Sequence, residues 1–353
     1  MKKRFLVSAL AMILALMLLS LSCAALADGE KIGALSYLNM TEEEDSALSA
    51  SLIHPLVKIL FLHGVLKAPE AGLPADETGL PIGTPAGHHY DSLNSMLMGL
   101  QSGEVIAIKV PYYTARYLCA TNDNLATLEY HPENAVGVAS FAINALSDGF
   151  SFMMKGESAA LRDEFDAQIK AMKADGTLKQ LIDEHIVKVS EGGEPAVIAF
   201  EEFEGDPIKV AVTGSLPPMD YVAADGTFAG FNTAVLAEIG KRLQKSIELV
   251  QVDSLGRALA LSEGTVDVVF WNRGAAESIA ERRREKGAPS QEVLDRLMAK
   301  NQETMTDEDK AAMSENEPVN TEQVEKIVAR DTPADTITTL PYFSDFPTLV
   351  ILK

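Results

Sequence analysis

From Lys31 onward, apolar and polar positions follow two alternating rhythms, short unbroken apolar runs and longer stretches with apolar residues three and four apart. The first predicts buried strands, the second amphipathic helices. Residues 31–38 read as a strand, and a helix begins at Thr41, where Thr41 and Glu44 form a capping box. Residues 68–87 are rich in Pro and Gly and read as loop. A helix over 92–101 stops at Gly103 and leads into a buried strand over 105–110. Ser158 opens a long helix carrying Leu161, Phe165, Ile169 and Met172 on one face, ended by Asp175-Gly176, and Thr177 caps the next one.

Residues 188–206 carry Gly192, Gly193, Pro195 and a cluster of Glu, which marks a boundary. Beyond it the rhythm restarts: strand 208–212, turn at Asp225-Gly226, helix 232–245, strand 247–252, a helix from Ser254 and strand 266–270. Residues 276–330 break the pattern. They are highly charged, with helical spacing at Val293 and Leu297 and at Val324, Ile327 and Val328, and read as an inserted helical pair. The chain returns to strand over 337–353. Strands alternating with helices in both halves predict α/β layering. The segments DSLNSMLMGLQSGEVIAI from Asp91 and DSLGRALALSEGTVDVVF from Asp253 share a helix, a stopping Gly and a following Val-initiated strand. Either the halves share one plan or a common helix-Gly-strand device recurs.

Lys2, Lys3 and Arg4 precede an uncharged apolar run, and Ala25-Leu26-Ala27 follows, which predicts a signal peptide over residues 1–27 rather than a retained membrane anchor. Export to an extracytoplasmic location, periplasmic, secreted or at the cell surface, follows. Cys23 offers lipid attachment as an alternative, although Ser20-Leu21-Ser22 fits the usual Leu-small-small-Cys pattern poorly. After cleavage Cys119 is the one remaining cysteine, so no internal disulfide can form. Loss of the three leader cations from 30 basic residues leaves 27 against 51 acidic, a net charge of about −24. Such a surface repels nucleic acid and anionic membranes, and no membrane span remains.

The stretch IKVAVTGSLPPMDYVAADGTFAGFNTAVLAEIGKRLQKSIELVQVDSLGRALALSEGTVDVV resembles the opening lobe of bacterial extracellular solute-binding proteins of the amino-acid-binding family. The resemblance rests on the Pro218 loop, the Asp225-Gly226 turn, Gly230-Phe231 before a helix, and Leu261, Gly264, Val266 and Asp267 before a strand. TLPYFSDFPTLVILK is similar to the Ser-x-Pro-Tyr strand that reaches the hinge, with Thr339 for the serine. The first half is similar to the other lobe, most characteristically at Lys173-Ala174-Asp175-Gly176-Thr177-Leu178. The resemblance implies a two-lobed α/β fold of the type II periplasmic-binding-protein kind. Residues 28–190 would be the second-lobe-like domain, 191–206 a linker, and 207–353 the first-lobe-like domain with its helical insertion at 276–330. The lobes thus come in reversed order, as in a circular permutant or in part of a longer tandem arrangement.

In such folds ligands lie at the C-terminal ends of the strands, near helix N-termini. Four loops qualify, and they nominate Ser36, Asn39 and Thr41, then Tyr112, then Ser215, Met219 and Tyr221, then Phe231 and Asn232 as ligand contacts, each equally explained as an ordinary turn or cap. The resemblance further implies a carboxylate-gripping arginine, for which Arg273 stands nearest a strand end and Arg282-Arg283-Arg284 a few residues on. Trp271 and Tyr342, with Tyr221 and Phe231, supply aromatic walls or ordinary core. The family's acidic partner for a ligand ammonium has no counterpart, Val110-Pro111-Tyr112 standing in its place, so an ordinary α-amino acid fits poorly. Leu216 and Met219 replace aromatic residues usual around the Pro218 loop.

His54, His63 and His88-His89 lack the acidic or Cys partners of a metal site, and no catalytic group, nucleophile elbow, phosphate loop or cofactor motif is found. The expectation is capture of a small amino-acid-like or other carboxylate solute, without catalysis, cofactor or metal, for delivery to the permease of an ABC importer. The rival expectations are a ligand-sensing or scaffold protein of the cell surface and a divergent enzyme on the same fold.

Overall fold

Apolar runs bounded by turn residues become the central strands, and their side chains are sealed from water: Val210, Ala211 and Val212 of IKVAV are each 0% exposed. In the computed structural model of the chain the described residues are 31–69, 86–223, 225–273 and 320–353, with 279–280, 283–285, 287–290, 292–293, 296, 306 and 316–317 between them. The leader with Cys23, Leu297 and most of the insertion, and the side chain of Arg273, lie outside the described residues.

The first sheet is built from β1 (Lys31–Leu35), β2 (Ala86–Tyr90), β3 (Ala107–Pro111) and β4 (Leu125–Thr127). Four helices accompany it: α1 (Glu42–Leu62), α2 (Leu93–Ser102), α3 (Tyr112–Thr121) and α4 (Val138–Leu146). The Thr41–Glu44 capping box starts α1 as its spacing predicts. The chain then enters β5 (Asp148–Lys155), α5 (Ala159–Asp175) and α6 (Thr177–Ile182). After the linker come β6 (Ile208–Val212), α7 (Phe231–Leu243), β7 (Ile247–Gln251), α8 (Gly256–Glu263) and β8 (Val268–Arg273). The described end of the chain holds α9 (Glu322–Asp331), β9 (Thr336–Thr338), β10 (Phe343–Asp345) and β11 (Pro347–Leu352).

The strand order is β2-β1-β3-β11-β4 in the first sheet and β7-β6-β8-β5-β9 in the second, with β10 also pairing β5. In each sheet the first three strands are parallel and the next is antiparallel and comes from the other half of the chain. The fold is therefore a two-lobed α/β one in which each lobe completes the other. The two related segments found in the sequence take equivalent places: α2, Gly103 and β3 in one lobe, α8, Gly264 and β8 in the other. Both glycines are left-handed, at φ 77° and 74°, and both strands lie beside the exchanged strand.

The exchange moves a boundary. Residues 148–190 group with the first half in the sequence reading, yet β5 pairs with β8 from Val269↔Met153 to Arg273↔Gly149. Phe152, Phe165, Ile169 and Met172 share one core with Val210, Phe231, Val235, Val268 and Tyr342. Packing, not chain proximity, assigns this segment to the second lobe, because the helix face carrying Phe165, Ile169 and Met172 is sealed against that core.

Two crossings join the lobes, Ser147 between α4 and β5 and Phe346 between β10 and β11. Asp345 fastens the second. It is 4% exposed, its Oδ2 accepts the Tyr113 N–H at 3.1 Å and its Oδ1 the Phe346 N–H at 2.9 Å. Burial pushes its carboxyl up to about 7 despite those two donors.

Two outcomes follow from this arrangement. Phe152 stacks on Tyr342 at 4.6 Å and meets Phe165 edge-on at 5.3 Å, so Phe152→Ala is expected to cost about 3–5 kcal/mol in chemical denaturation. Trp271, the single tryptophan of the chain and the partner of Ser151 on β5, reports the transition by fluorescence. For Asp345 the folded pKa lies above the unfolded value, so the folded state holds the extra proton and its contribution to stability declines as pH rises towards 7. The stability of the wild type minus that of Asp345→Asn should fall between pH 5 and 7 and level off above pH 8, by on the order of 3 kcal/mol in total. A difference that stays flat across that range would show that Asp345 is ionised throughout.

Candidate functional site

The C-terminal ends of β1, β3, β6 and β8 converge between the lobes, where parallel α/β sheets leave their crevice. They enclose a cavity of about 320 Å³, at the small end of the range for ligand pockets. Its walls are largely apolar, with Leu35, Leu48 and Ile53 on one side and Leu216, Phe270 and Trp271 on the other.

The wall of the first lobe carries a closed polar cluster. Lys109, in the middle of β3, places its Nζ 3.5 Å from an Asp45 carboxylate oxygen and 3.5 Å from the Tyr37 hydroxyl. The same ammonium lies 5.9 Å from the Tyr37 ring centroid. His89 Nε2 stands 3.3 Å from the other Asp45 oxygen. Burial works against the Asp45 carboxylate, but Lys109 and His89 hold it below the usual carboxylate range. Burial likewise opposes the Lys109 cation, and Tyr37 and Asp45 more than compensate, raising its pKa. Tyr37 is pushed up to about 12, chiefly by burial. This wall is internally neutralised.

The second lobe's wall is not balanced in the same way. The loop after β6 turns so that Asp220 Oδ2 accepts the Thr213 N–H at 2.8 Å, the Thr213 hydroxyl at 2.9 Å and the Gly214 N–H at 3.2 Å. Asp220 Oδ1 is buried without a hydrogen-bond partner, and burial raises the pKa of this carboxyl against its three donors. Gly230, at φ 108°, brings α7 against the same loop, since a Cβ there would lie 2.6 Å from the Met219 carbonyl oxygen. The close approach lets Asn232 N donate to the Met219 carbonyl at 2.8 Å and sets Asn232 in the cavity wall. Arg257, in the first turn of α8, donates from Nη1 to the Phe270 carbonyl at 2.9 Å and from Nε to the Ser254 carbonyl at 3.1 Å. Among the described residues no carboxylate stands within ion-pair distance of it. Burial lowers its pKa, with Asp220 opposing.

Of the residues nominated from sequence, Ser36, Asn232 and Trp271 line this cavity. Ser36 Oγ also donates to Asp91 at 3.3 Å, and Asn232 Oδ1 accepts the Tyr342 hydroxyl at 2.8 Å. Met219, Phe231 and Tyr342 sit in the second lobe's core, at 0%, 0% and 2% exposure. Tyr112 stacks on Phe346 at 5.0 Å beside the hinge. Ser215 and Tyr221 pair with each other in a small ribbon, and the Tyr221 ring lies 6.4 Å from Tyr117. Thr41 caps α1, and Asn39 bonds to α9. The Arg273 backbone pairs with Gly149.

The sequence reading passed over Tyr37, Asp45, Lys109, Asp220 and Arg257. Two of them carry a legible signal: Lys109 is a lone charge inside the buried run IAIKVP, and Arg257 a lone charge in LGRALAL. Asp45 is one of four consecutive acidic residues and nothing in the sequence distinguishes it. No three His, Cys, Asp or Glu side chains among the described residues group as metal ligands.

Residues 208–339 match the family described as bacterial extracellular solute-binding proteins, family 3. No curated protein matches the chain. Among solved structures, NikA from Staphylococcus aureus, in complex with Ni(L-His)2, is similar at 13% identity over 77% of this chain and 58% of that one, with a TM-score of 0.34. The chain thus spans little more than half of that protein's length. The GluR0 ligand-binding core, in complex with L-glutamate, matches at 9% identity over 93% and 86% of the two chains, TM-score 0.32. A phosphate-binding protein of a phosphate ABC transporter from Streptococcus pneumoniae matches at 10% identity over 91% and 89%, TM-score 0.30. The family match over residues 208–339 holds β6 to β9 and the second lobe's wall of the cavity, so this part of the chain is similar to bacterial extracellular solute-binding proteins of family 3.

Proposed function

We propose that the protein captures a small organic acid in the cavity between its lobes, outside the cytoplasm, and delivers it to a membrane importer. The observation that carries this reading is Arg257, a part-buried guanidinium in the cavity wall whose two described hydrogen bonds go to backbone carbonyls. A cation partly withdrawn from water without an ion-pair partner is destabilising, and a carboxylate arriving from solution supplies the counter-ion with charge-assisted hydrogen bonds. Asp220 Oδ1, also in this wall, offers an acceptor for a hydroxyl or amino group of the same ligand. The apolar remainder of the lining suits an aliphatic or aromatic body. An ordinary α-amino acid is a poorer fit, because the first lobe's carboxylate at Asp45 is already engaged by Lys109 and His89.

The exchange of β5 and β11 between sheets supports the permuted reading of lobe order, since each lobe then holds a complete set of strands. Capture and release by hinge motion at Ser147 and Phe346, without chemical change to the solute, is the mode this architecture favours.

Thermal-shift and calorimetric titration of the protein against monocarboxylates, dicarboxylates and amino acids tests the proposal. A true ligand at a hundred times its Kd stabilises the protein by about 2.7 kcal/mol. Arg257→Met should weaken that ligand about 100-fold or more while costing the ligand-free protein no more than about 1 kcal/mol, because the variant removes a part-buried charge that has no ion-pair partner among the described residues. Equal affinity in the wild type and Arg257→Met, or no response to any organic acid, would overturn it.

A further inference from the structure

Helix α9 belongs covalently to one lobe and docks on the other. Residues 332–335 lead from it directly into β9, which is hydrogen-bonded to β5 within the second sheet. Its side chains hold the turn between β1 and α1 of the first lobe. Asp331 Oδ1 accepts the N–H of Asn39 at 2.7 Å and of Met40 at 3.2 Å. Asn39 Nδ2 donates back to the Arg330 carbonyl at 2.6 Å. Arg330 Nη2 donates to both carboxylate oxygens of Glu44, each at 2.6 Å. Val324 and Ile327, one turn apart, pack against the first lobe's core of Leu48, Leu52 and Leu56.

These contacts are of unequal weight. The Arg330–Glu44 pair is half exposed on the arginine side and is screened, so its share is small. The Asp331 contact is stronger in kind: a carboxylate accepting two backbone N–H groups, part-buried, with burial raising its pKa. With the two apolar side chains it makes a further connection between the lobes, at the cavity and apart from the hinge crossings and from the Arg116–Glu191 and Tyr117–Tyr221 contacts. The connection also closes the cavity, since Val328, Asp331 and Thr332 form part of its wall.

We infer that α9 is a clasp: its docking on the first lobe holds the cleft shut independently of any solute, so that exchange of the cavity's contents requires α9 to undock. The inference rests on contacts between the lobes and stands whatever the cavity binds.

The test uses the full chain without added ligand. In Arg330→Ala/Asp331→Ala, amide hydrogen exchange at Asn39 and Met40 should quicken roughly tenfold or more, and small-angle scattering should give a larger radius of gyration than the wild type. The control is Glu322→Ala/Lys326→Ala on the solvent face of the same helix, where the two side chains pair with each other at 2.7 Å; it should change neither quantity. Faster exchange with an unchanged radius would overturn the inference, because α9 would then only decorate the first lobe. An unchanged exchange rate would overturn it as well. Should the double variant lose its circular dichroism, Asp331→Ser alone carries the same two readouts, with the same result required.

Discussion

Everything at the site depends on the exchange of one antiparallel strand in each direction. β5 enters the second sheet between β8 and β9, and β11 enters the first between β3 and β4. An interior strand cannot be withdrawn without breaking ladders on both sides, so the lobes cannot part; yet each crossing is a single residue between strand and neighbouring element, which leaves rotation about the crossings as the accessible motion. The same exchange sets the parallel strands of both sheets with their C-terminal ends facing one another. The cavity is the space this arrangement leaves, and Asp345 ties the crossing residue Phe346 to Tyr113 of the first lobe.

Two walls of one cavity have opposite electrostatic logic. In the first lobe the cation at Lys109 and the anion at Asp45 answer each other, and the neighbouring tyrosine and histidine complete the cluster. In the second, Arg257 spends its hydrogen bonds on neutral carbonyls and Asp220 spends one oxygen on N–H and hydroxyl donors. A chain of formal net charge −21 repels anions at long range, but that repulsion is screened over about 10 Å in dilute salt, whereas a part-buried guanidinium at contact is screened less. The proposed anion preference therefore rests on local charge at Arg257 rather than on the charge of the whole surface.

The lobes, their layering and most of their elements were legible in the sequence because periodicity is a local property. The helix carrying Phe165, Ile169 and Met172 and the two related segments from Asp91 and Asp253 were read from spacing alone. Which sheet β5 joins was not legible. FSFMMK reads as a buried strand in either lobe, and its membership is settled by long-range pairing with β8, about 120 residues away. The cavity lining was legible only in part, for a related reason. Loops after strands were sound places to look, and they yielded Ser36 and Asn232, but two nominated aromatic residues, Phe231 and Tyr342, are core, because an aromatic side chain carries no mark of which face it serves. Lone charges within apolar runs, Lys109 and Arg257, were the better signal, since burying a charge is expensive enough to demand a purpose.

The insertion adds a term to the energetics of closure. In a hinged binding protein without a clasp, the solute alone bears the cost of bringing the lobes together, and the measured affinity is reduced by the fraction of molecules already in the competent state. Docking of α9 raises that fraction, so a small ligand with few atoms to contribute binds more tightly than its own contacts allow. The same docking obstructs the route by which it enters and leaves, so tighter binding comes with slower exchange. In the chain α9 lies between β8 and β9, and its last turn reaches the turn at Asn39 and Met40 through Arg330 and Asp331.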